Sequence, residues 1–323
     1  MSNKFISTTS AFLLSTSILV ADIPKVTVDI APVHSLVSKV MNGVGKPDLI
    51  IPAGASPHEY QLKPSNAKSL QNADIVFWIG EDLTPWLEKG LSSLAQDASI
   101  TSLLDLSGLE LLSFREGALF EAHAHGEDHD DHDDHDHDKK KHDDHDDHDD
   151  HAHGEHDPHA WLSPQIAKIW LNVIAAKLSE VDPDNAAKYF SNAKSARDNV
   201  DSLVSEVNSI LDPIRDKKFV VFHDAYQYFE RDFGISASGA ISLGDASDPS
   251  PARLSEIRRR VVDEAVQCVL AEPQYDPGLV KSVVEGTDAK TTVIDPLGVS
   301  LETGPNLYEN LIRNLATNLA KCF

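Results

Sequence analysis

The chain has 323 residues, with 52 acidic against 28 basic side chains, a formal net charge of -24 and 41% hydrophobic residues. That length suits one large domain or two medium ones. The negative surface excludes nucleic acid and anionic lipid as natural partners and favours cations.

Residues 1–21, "MSNKFISTTSAFLLSTSILVA", place Lys4 before an apolar, hydroxyl-rich run that ends in small residues. This predicts a signal peptide cleaved after Ala21 and an exported mature protein. "KVTVDI" alternates as a strand, and "VHSLVSKVMNG" follows as a helix closed by Gly43. "PDLIIP" is a second strand leading into the long irregular loop "AGASPHEYQLK". "PSNAKSLQNA" is a helix with Ser65 or Asn66 as cap, "ADIVFWIG" a strand, and "LTPWLEKGLSSLA" a helix before "SITSLLDLSG". Strand and helix thus alternate through residues 22–120, which predicts an N-terminal α/β lobe with a mostly parallel sheet.

Residues 121–157 carry 17 acids and three lysines, a net of -14, which leaves -10 for the rest of the chain. Built from H-D-D and H-D-H units, the segment has too few apolar side chains to bury a core and is expected to be disordered. A helix through 158–181, with apolar Ile166, Ile169, Trp170, Val173 and Ile174 at helical spacing, is expected to complete the first lobe. A second helix, 182–213, begins at Asp182 and Pro183, ends before Pro213 and reaches roughly 40 Å. That is longer than one domain needs, so it is expected to link two lobes as a stiff rod. The α/β pattern resumes in 214–323, including "KKFVVFHDAY", the helix "PARLSEIRRRVVDEA" capped by Ser250, "VQCVLAEP", "KTTVIDP" and a final helix. The expectation is two α/β lobes with mostly parallel sheets, a long rigid connecting helix and a metal site in the cleft between them.

Twelve of the 16 histidines lie between His123 and His156; the others are His34, His58, His159 and His223. His58 follows a strand in "ASPHEY", His223 ends the strand "KFVVFH", His159 precedes a helix in "DPHAWLSP", and Asp295 follows the strand "TTVI". Open α/β sheets present ligand-binding groups at the carboxyl ends of their strands. Three imidazoles and a carboxylate satisfy the tetrahedral demand of Zn2+, whereas manganese favours more carboxylate. Glu59, beside His58, is a further candidate ligand or an acceptor for an imidazole N–H. Glu272 is a candidate acceptor of the same kind. Other readings stand beside these. His58 can stabilise a loop, His223 can be hydrogen-bonded beneath its sheet, His159 can be the tail of the repeat, and Asp295 can mark an ordinary Asp-Pro turn. Asp224 reads as a helix cap, Trp161 and Tyr226 as packing, and His34 as an exposed residue. HExxH, G-x-S-x-G, P-loop and G-x-G-x-x-G motifs are absent from the sequence. A secreted metal-dependent hydrolase, with Glu59 or Glu272 as base, is therefore the weaker alternative to a non-enzymatic binding protein. The repeat is expected to hold additional divalent cations weakly, or else to act as a charged solubilising loop. Cys268 and Cys322, the two cysteines, read as one disulfide in an oxidising compartment, or else as two separate thiols.

The pieces "PAGASPHEYQLKPS", "NADIVFWIG", "DPHAWLSP", "FHDAY", "LAEPQ" and "IDPLG" together resemble, in order and spacing, the cluster A-I metal-binding proteins of ABC transporters. The resemblance covers nearly the whole mature chain, and the His/Asp-rich segment resembles that of the zinc members. It implies a monomeric periplasmic protein that binds Zn2+ as cargo and hands it to an inner-membrane ABC permease and its ATPase. It also implies His58, His159 and His223 as ligands, with Asp295 at the usual fourth position. Some zinc members carry glutamate immediately before the first histidine; here Pro57 stands there, which leaves Glu59 the weaker candidate. Manganese members often have glutamate at the position of His223, so histidine there leans toward zinc over a manganese-binding transport protein. A disulfide like that between Cys268 and Cys322 is frequent among zinc members of Gram-negative bacteria.

Overall fold

The computed structural model describes residues 23–115, 120, 156–242 and 249–323. Residues 1–21, where a signal peptide is expected, and nearly all of the His/Asp-rich segment, with the expectations attached to them, lie outside the described residues.

The first lobe is a four-stranded parallel sheet. Its strands are β1 (Val26–Val28), β2 (Asp48–Leu49), β3 (Ile75–Trp78) and β4 (Ser99–Ser102), in the order β2-β1-β3-β4. β1 and β3 are buried throughout, as parallel strands covered on both faces must be. Helices α1 (Ala31–Val40), α2 (Pro64–Gln71) and α3 (Pro85–Leu94) make the crossovers. α2 starts one residue before the expected cap. Pro64 occupies its first turn, and Asn66 Oδ1 reaches back to accept the Lys63 N–H at 3.1 Å. His34, expected on the surface, is buried in α1, where its Nε2 meets the Pro47 carbonyl at 3.0 Å. Burial, partly offset by that contact and by Asp48, pulls its pKa below the ordinary imidazole value.

Two long helices follow. α4 (Pro164–Val181) is capped by Ser163, whose Oγ accepts the Ile166 N–H at 3.1 Å. Its buried stripe is Ile166, Ala167, Trp170, Leu171, Ile174, Ala175 and Leu178; Ile169 turns outward at 40% exposure because it falls beside the stripe. After a 3-10 turn at Pro183–Asn185, α5 runs Ala186–Leu211. Its buried face, from Tyr189 through Ala193, Ala196, Val200, Leu203 and Val207 to Leu211, repeats every three to four residues. α5 packs on α4 and α1, and also on α9 (Leu307–Lys321) near the chain's end.

The second lobe repeats the architecture. β5 (Phe219–His223), β6 (Ala240–Ser242), β7 (Cys268–Ala271) and β8 (Lys290–Val293) form a parallel sheet in the order β6-β5-β7-β8. Helices α6 (Gln227–Phe233), α7 (Pro251–Asp263), α8 (Pro277–Val284) and α9 accompany it. Ser250 caps α7 as expected, accepting the Arg253 N–H at 3.2 Å. The Cys268–Cys322 disulfide ties the end of α9 to β7. One continuous apolar core threads β1, β3, α4, α5, one face of β5 and α9, so it belongs to both lobes; a smaller one lies between the other face of the second sheet, α7 and α8.

Candidate metal centre

The carboxyl ends of both sheets face a common space. β2 runs into the loop that carries His58. That loop is braced by Trp86 Nε1, which donates to the Pro57 carbonyl at 2.7 Å, and by Tyr60, whose hydroxyl donates to Asn66 Oδ1 at 3.0 Å. His223 is the last residue of β5, and His159 immediately precedes a 3-10 turn (Ala160–Leu162) that leads into α4. These three side chains, with Trp161, Glu272 and Gln274, line one pocket whose interior has room for a single water-sized or ion-sized guest.

The ring centroids of His58 and His159 are 5.8 Å apart, and those of His159 and His223 are 5.3 Å apart. Imidazoles on a tetrahedral Zn2+, with Zn–N bonds near 2.0–2.1 Å, hold their centroids roughly 5 Å apart. No trio of His, Cys, Asp or Glu among the described residues is gathered into a finished metal centre. Each of these two centroid separations is within about 1 Å of the tetrahedral value. His58, on irregular backbone, has the wider separation to close.

Two of the rings are oriented by carboxylates. Asp157 Oδ1 accepts from His159 Nδ1 at 2.7 Å and from the His159 backbone N–H at 2.9 Å. Glu272 Oε1 accepts from His223 Nδ1 at 2.7 Å. A carboxylate only accepts, so each Nδ1 carries the proton and each Nε2 keeps a lone pair for a metal. Glu272 therefore takes the acceptor role weighed for it. Behind it, burial and then the Glu272 charge push the Tyr226 phenol well above its ordinary pKa.

The two other sequence candidates are not brought into the pocket. Asp295 Oδ1 accepts the Leu297 and Gly298 N–H groups at 3.0 and 2.9 Å, and Oδ2 accepts that of Val299 at 2.5 Å. Gly298 supplies the positive φ of 76° that this turn needs, and Asp295 borders a neighbouring groove with Val299 and Asn314. Glu59 is exposed to solvent beside His58. Asp224, read as a cap, instead accepts Arg115 Nε through both oxygens at 3.0 and 2.9 Å, while Arg115 also holds Glu230. Burial raises the Asp224 pKa despite that guanidinium. Trp161 is more than packing: its Nε1 donates to the Pro296 carbonyl at 2.8 Å, joining the two sides of the pocket. Sequence reasoning missed Arg115 and Asp157. Asp157 had a readable signal, an acid two residues before a histidine at a helix start; Arg115 had none, because its partners lie more than a hundred residues away.

The family profile for the periplasmic zinc-uptake complex component A matches residues 26–322. The high-affinity zinc uptake system protein ZnuA of Brucella abortus is 48% identical over 303 residues, covering 92% of this chain and 91% of its own. The protein of the same description from Paracoccus denitrificans is 45% identical over 303 residues, covering 94% and 92%. Among solved structures, a crystal structure of ZnuA superposes with a TM-score of 0.74 at 22% identity, covering 93% of this chain and 99% of that one. A zinc-bound ZnuA deletion mutant does so at 0.72 and 21%, covering 93% and 98%, and both likenesses speak to the fold alone. With a profile match across almost all the described chain and relatives near one-half identity, this chain belongs to the ZnuA family, the periplasmic component A of zinc-uptake complexes.

Proposed function

We propose that His58, His159 and His223 together capture one Zn2+ through their Nε2 atoms in the interlobe pocket. The protein is a periplasmic solute-binding component of a zinc-uptake ABC transporter, so the ion is cargo and the chain performs no catalysis. Family membership implies a cognate ABC permease and ATPase as partners. Delivery to that permease by a monomer, and weak binding of further divalent ions by the His/Asp-rich segment, complete the proposal.

The observation that carries the reading is the convergence of the three rings in an ion-sized pocket. The donor chemistry supports zinc over manganese: the pocket gathers three imidazoles, and Asp157 Oδ1 and Glu272 Oε1 are each engaged by an imidazole N–H. In this reading Asp295 braces the Pro296 loop and Glu59 stays in water. The fourth position then falls to an exchangeable ligand unless Asp295 gives up its backbone hydrogen bonds.

The test is a competition titration with Zn2+ and Mn2+ on a variant lacking residues 121–155, with and without His58→Ala and His223→Ala together. Zinc affinity is expected to fall by a factor on the order of 10³ or more, with zinc preferred over manganese before the substitutions. Undiminished zinc binding by the double variant would refute the site.

A further inference from the structure

The chain on either side of the His/Asp-rich segment is pinned to α6, one residue type at a time. Arg231 Nη1 donates to the Glu110 carbonyl at 3.1 Å, and Gln227 Nε2 donates to the Ser113 carbonyl at 3.1 Å. The Tyr228 hydroxyl accepts the Leu112 N–H at 3.0 Å and donates to the Asp157 carbonyl at 2.9 Å. The two flanks also bond each other directly, Asp157 N–H to the Leu112 carbonyl at 2.8 Å. Leu112, Tyr228 and Gln227 all meet Asp157, which is 1% exposed. Its Oδ2 accepts from Gln227 Nε2 at 3.0 Å, and its Oδ1 holds both His159 Nδ1 and the His159 backbone.

We infer that Asp157 is the positioning residue of the pocket: it sets the tautomer and aim of His159, and it couples that ring to the roots of the His/Asp-rich segment through Gln227 and Tyr228. The physical argument has two parts. A buried carboxylate on Nδ1 excludes the tautomer that would place a proton on the metal-facing nitrogen, and it makes the ring a stronger donor. The same carboxylate is held from its other side by α6, which begins four residues after His223. Disturbing the roots therefore shifts Asp157 and misaims His159 relative to His223. Removal of such orienting partners lowers metal affinity about 10–100-fold.

The inference rests on His159 being a zinc ligand, and the experiment separates the two. Zn2+ affinity is measured by chelator competition on the full mature chain, and the His159 tautomer is read by long-range ¹H–¹⁵N NMR of the metal-free protein. Variants are His159→Ala, Asp157→Ala, Asp157→Asn and Gln227→Ala, each with its thermal midpoint. Asp157→Ala is expected to lose about 10–100-fold in affinity and to show the Nε2–H tautomer. Asp157→Asn, which keeps an acceptor oxygen, is expected to retain the Nδ1–H tautomer and recover part of the loss. Gln227→Ala, which leaves Oδ1 on the ring, is expected to lose a few-fold with the tautomer unchanged. If His159→Ala binds zinc like the parent, the ligand assignment fails. If His159→Ala is weakened while Asp157→Ala keeps parental affinity and tautomer, the positioning role fails. Should Asp157→Ala not fold, parental affinity in Asp157→Asn overturns that role. Parental affinity in Gln227→Ala overturns the coupling.

Discussion

Asp29 shows how one side chain can shape the behaviour of a whole lobe. It stands just past β1 and is fully buried; Oδ1 accepts the Ile30 N–H and Oδ2 the Ile79 N–H, both at 2.7 Å. Burial outweighs those donors and raises its pKa from 3.8 to about 7. Below pH 3.8 the carboxyl is protonated in folded and unfolded chains alike, and it contributes no pH dependence. Between 3.8 and about 7 the unfolded chain releases a proton that the folded chain keeps, so stability declines as pH rises. The full difference amounts to roughly 4 kcal/mol. Urea unfolding across that window is expected to show a downward slope that Asp29→Asn flattens. The slope is the readout, because the Asn amide turns one N–H pair into a donor clash and lowers stability at every pH. An unchanged slope in the variant would remove Asp29 as its source. The histidines behave differently at this scale: His34 and His223 read alike as single letters in apolar surroundings. Only their partners, the Pro47 carbonyl for one and Glu272 in an ion-sized pocket for the other, separate a packed imidazole from a poised one.

At the level of elements, the disulfide and the helix ends decide what is held to what. The bridge closes a 54-residue separation and fastens the last helix to a central strand of the second sheet. In a chain-entropy account a loop of that size contributes about 4 kcal/mol through the unfolded state. Replacing both cysteines with serine is therefore expected to lower the denaturation free energy by up to that amount, read as a lower urea midpoint. Cys268 begins β7, whose opposite end leads to Glu272 in the pocket, so the bridge lies at the far end of that strand and zinc affinity is expected to persist in the surviving folded protein. A midpoint unchanged by the substitution would mean that α9 is held by packing alone, through Leu311, Ile312, Leu315 and Leu319.

For the molecule as a whole, the continuous core is the controlling fact. The helix α5 buries one face along its length, and α1, α4 and α9 pack on it or on one another across the lobe boundary. Tyr308 N–H to Ser35 Oγ at 3.0 Å and the Lys39–Glu309 ion pair at 2.7 Å add polar ties between α1 and α9. A large hinge rotation would open this apolar core to water, at about 25 cal/mol for each Å² exposed. Zinc capture is therefore expected to proceed by movement of local loops, the His58 loop first, with the lobes nearly fixed. Small-angle scattering of the metal-free and zinc-loaded protein should give radii of gyration that agree within about 0.5 Å. A compaction on the scale of a closing hinge would contradict the account.

The alternating strands and helices, the long 182–213 helical stretch, the Ser250 cap and the paired cysteines are all legible in the sequence, because they depend on local periodicity, capping chemistry and compartment. The positions of His223 at the end of a strand and of His58 in the loop that follows one are legible for the same reason, since a parallel sheet always turns its carboxyl ends toward one side. Which donors actually meet is a matter of tertiary structure. Asp295 reads as well as His223 in one dimension, yet its oxygens are taken by three backbone N–H groups of its own turn. Asp157 reads as the last acid of a repeat, yet burial and four hydrogen-bonding partners make it the hub beneath His159. Hydrogen bonds formed across a hundred residues leave no trace in local composition, so only the folded chain shows which side chains meet and which stay in water.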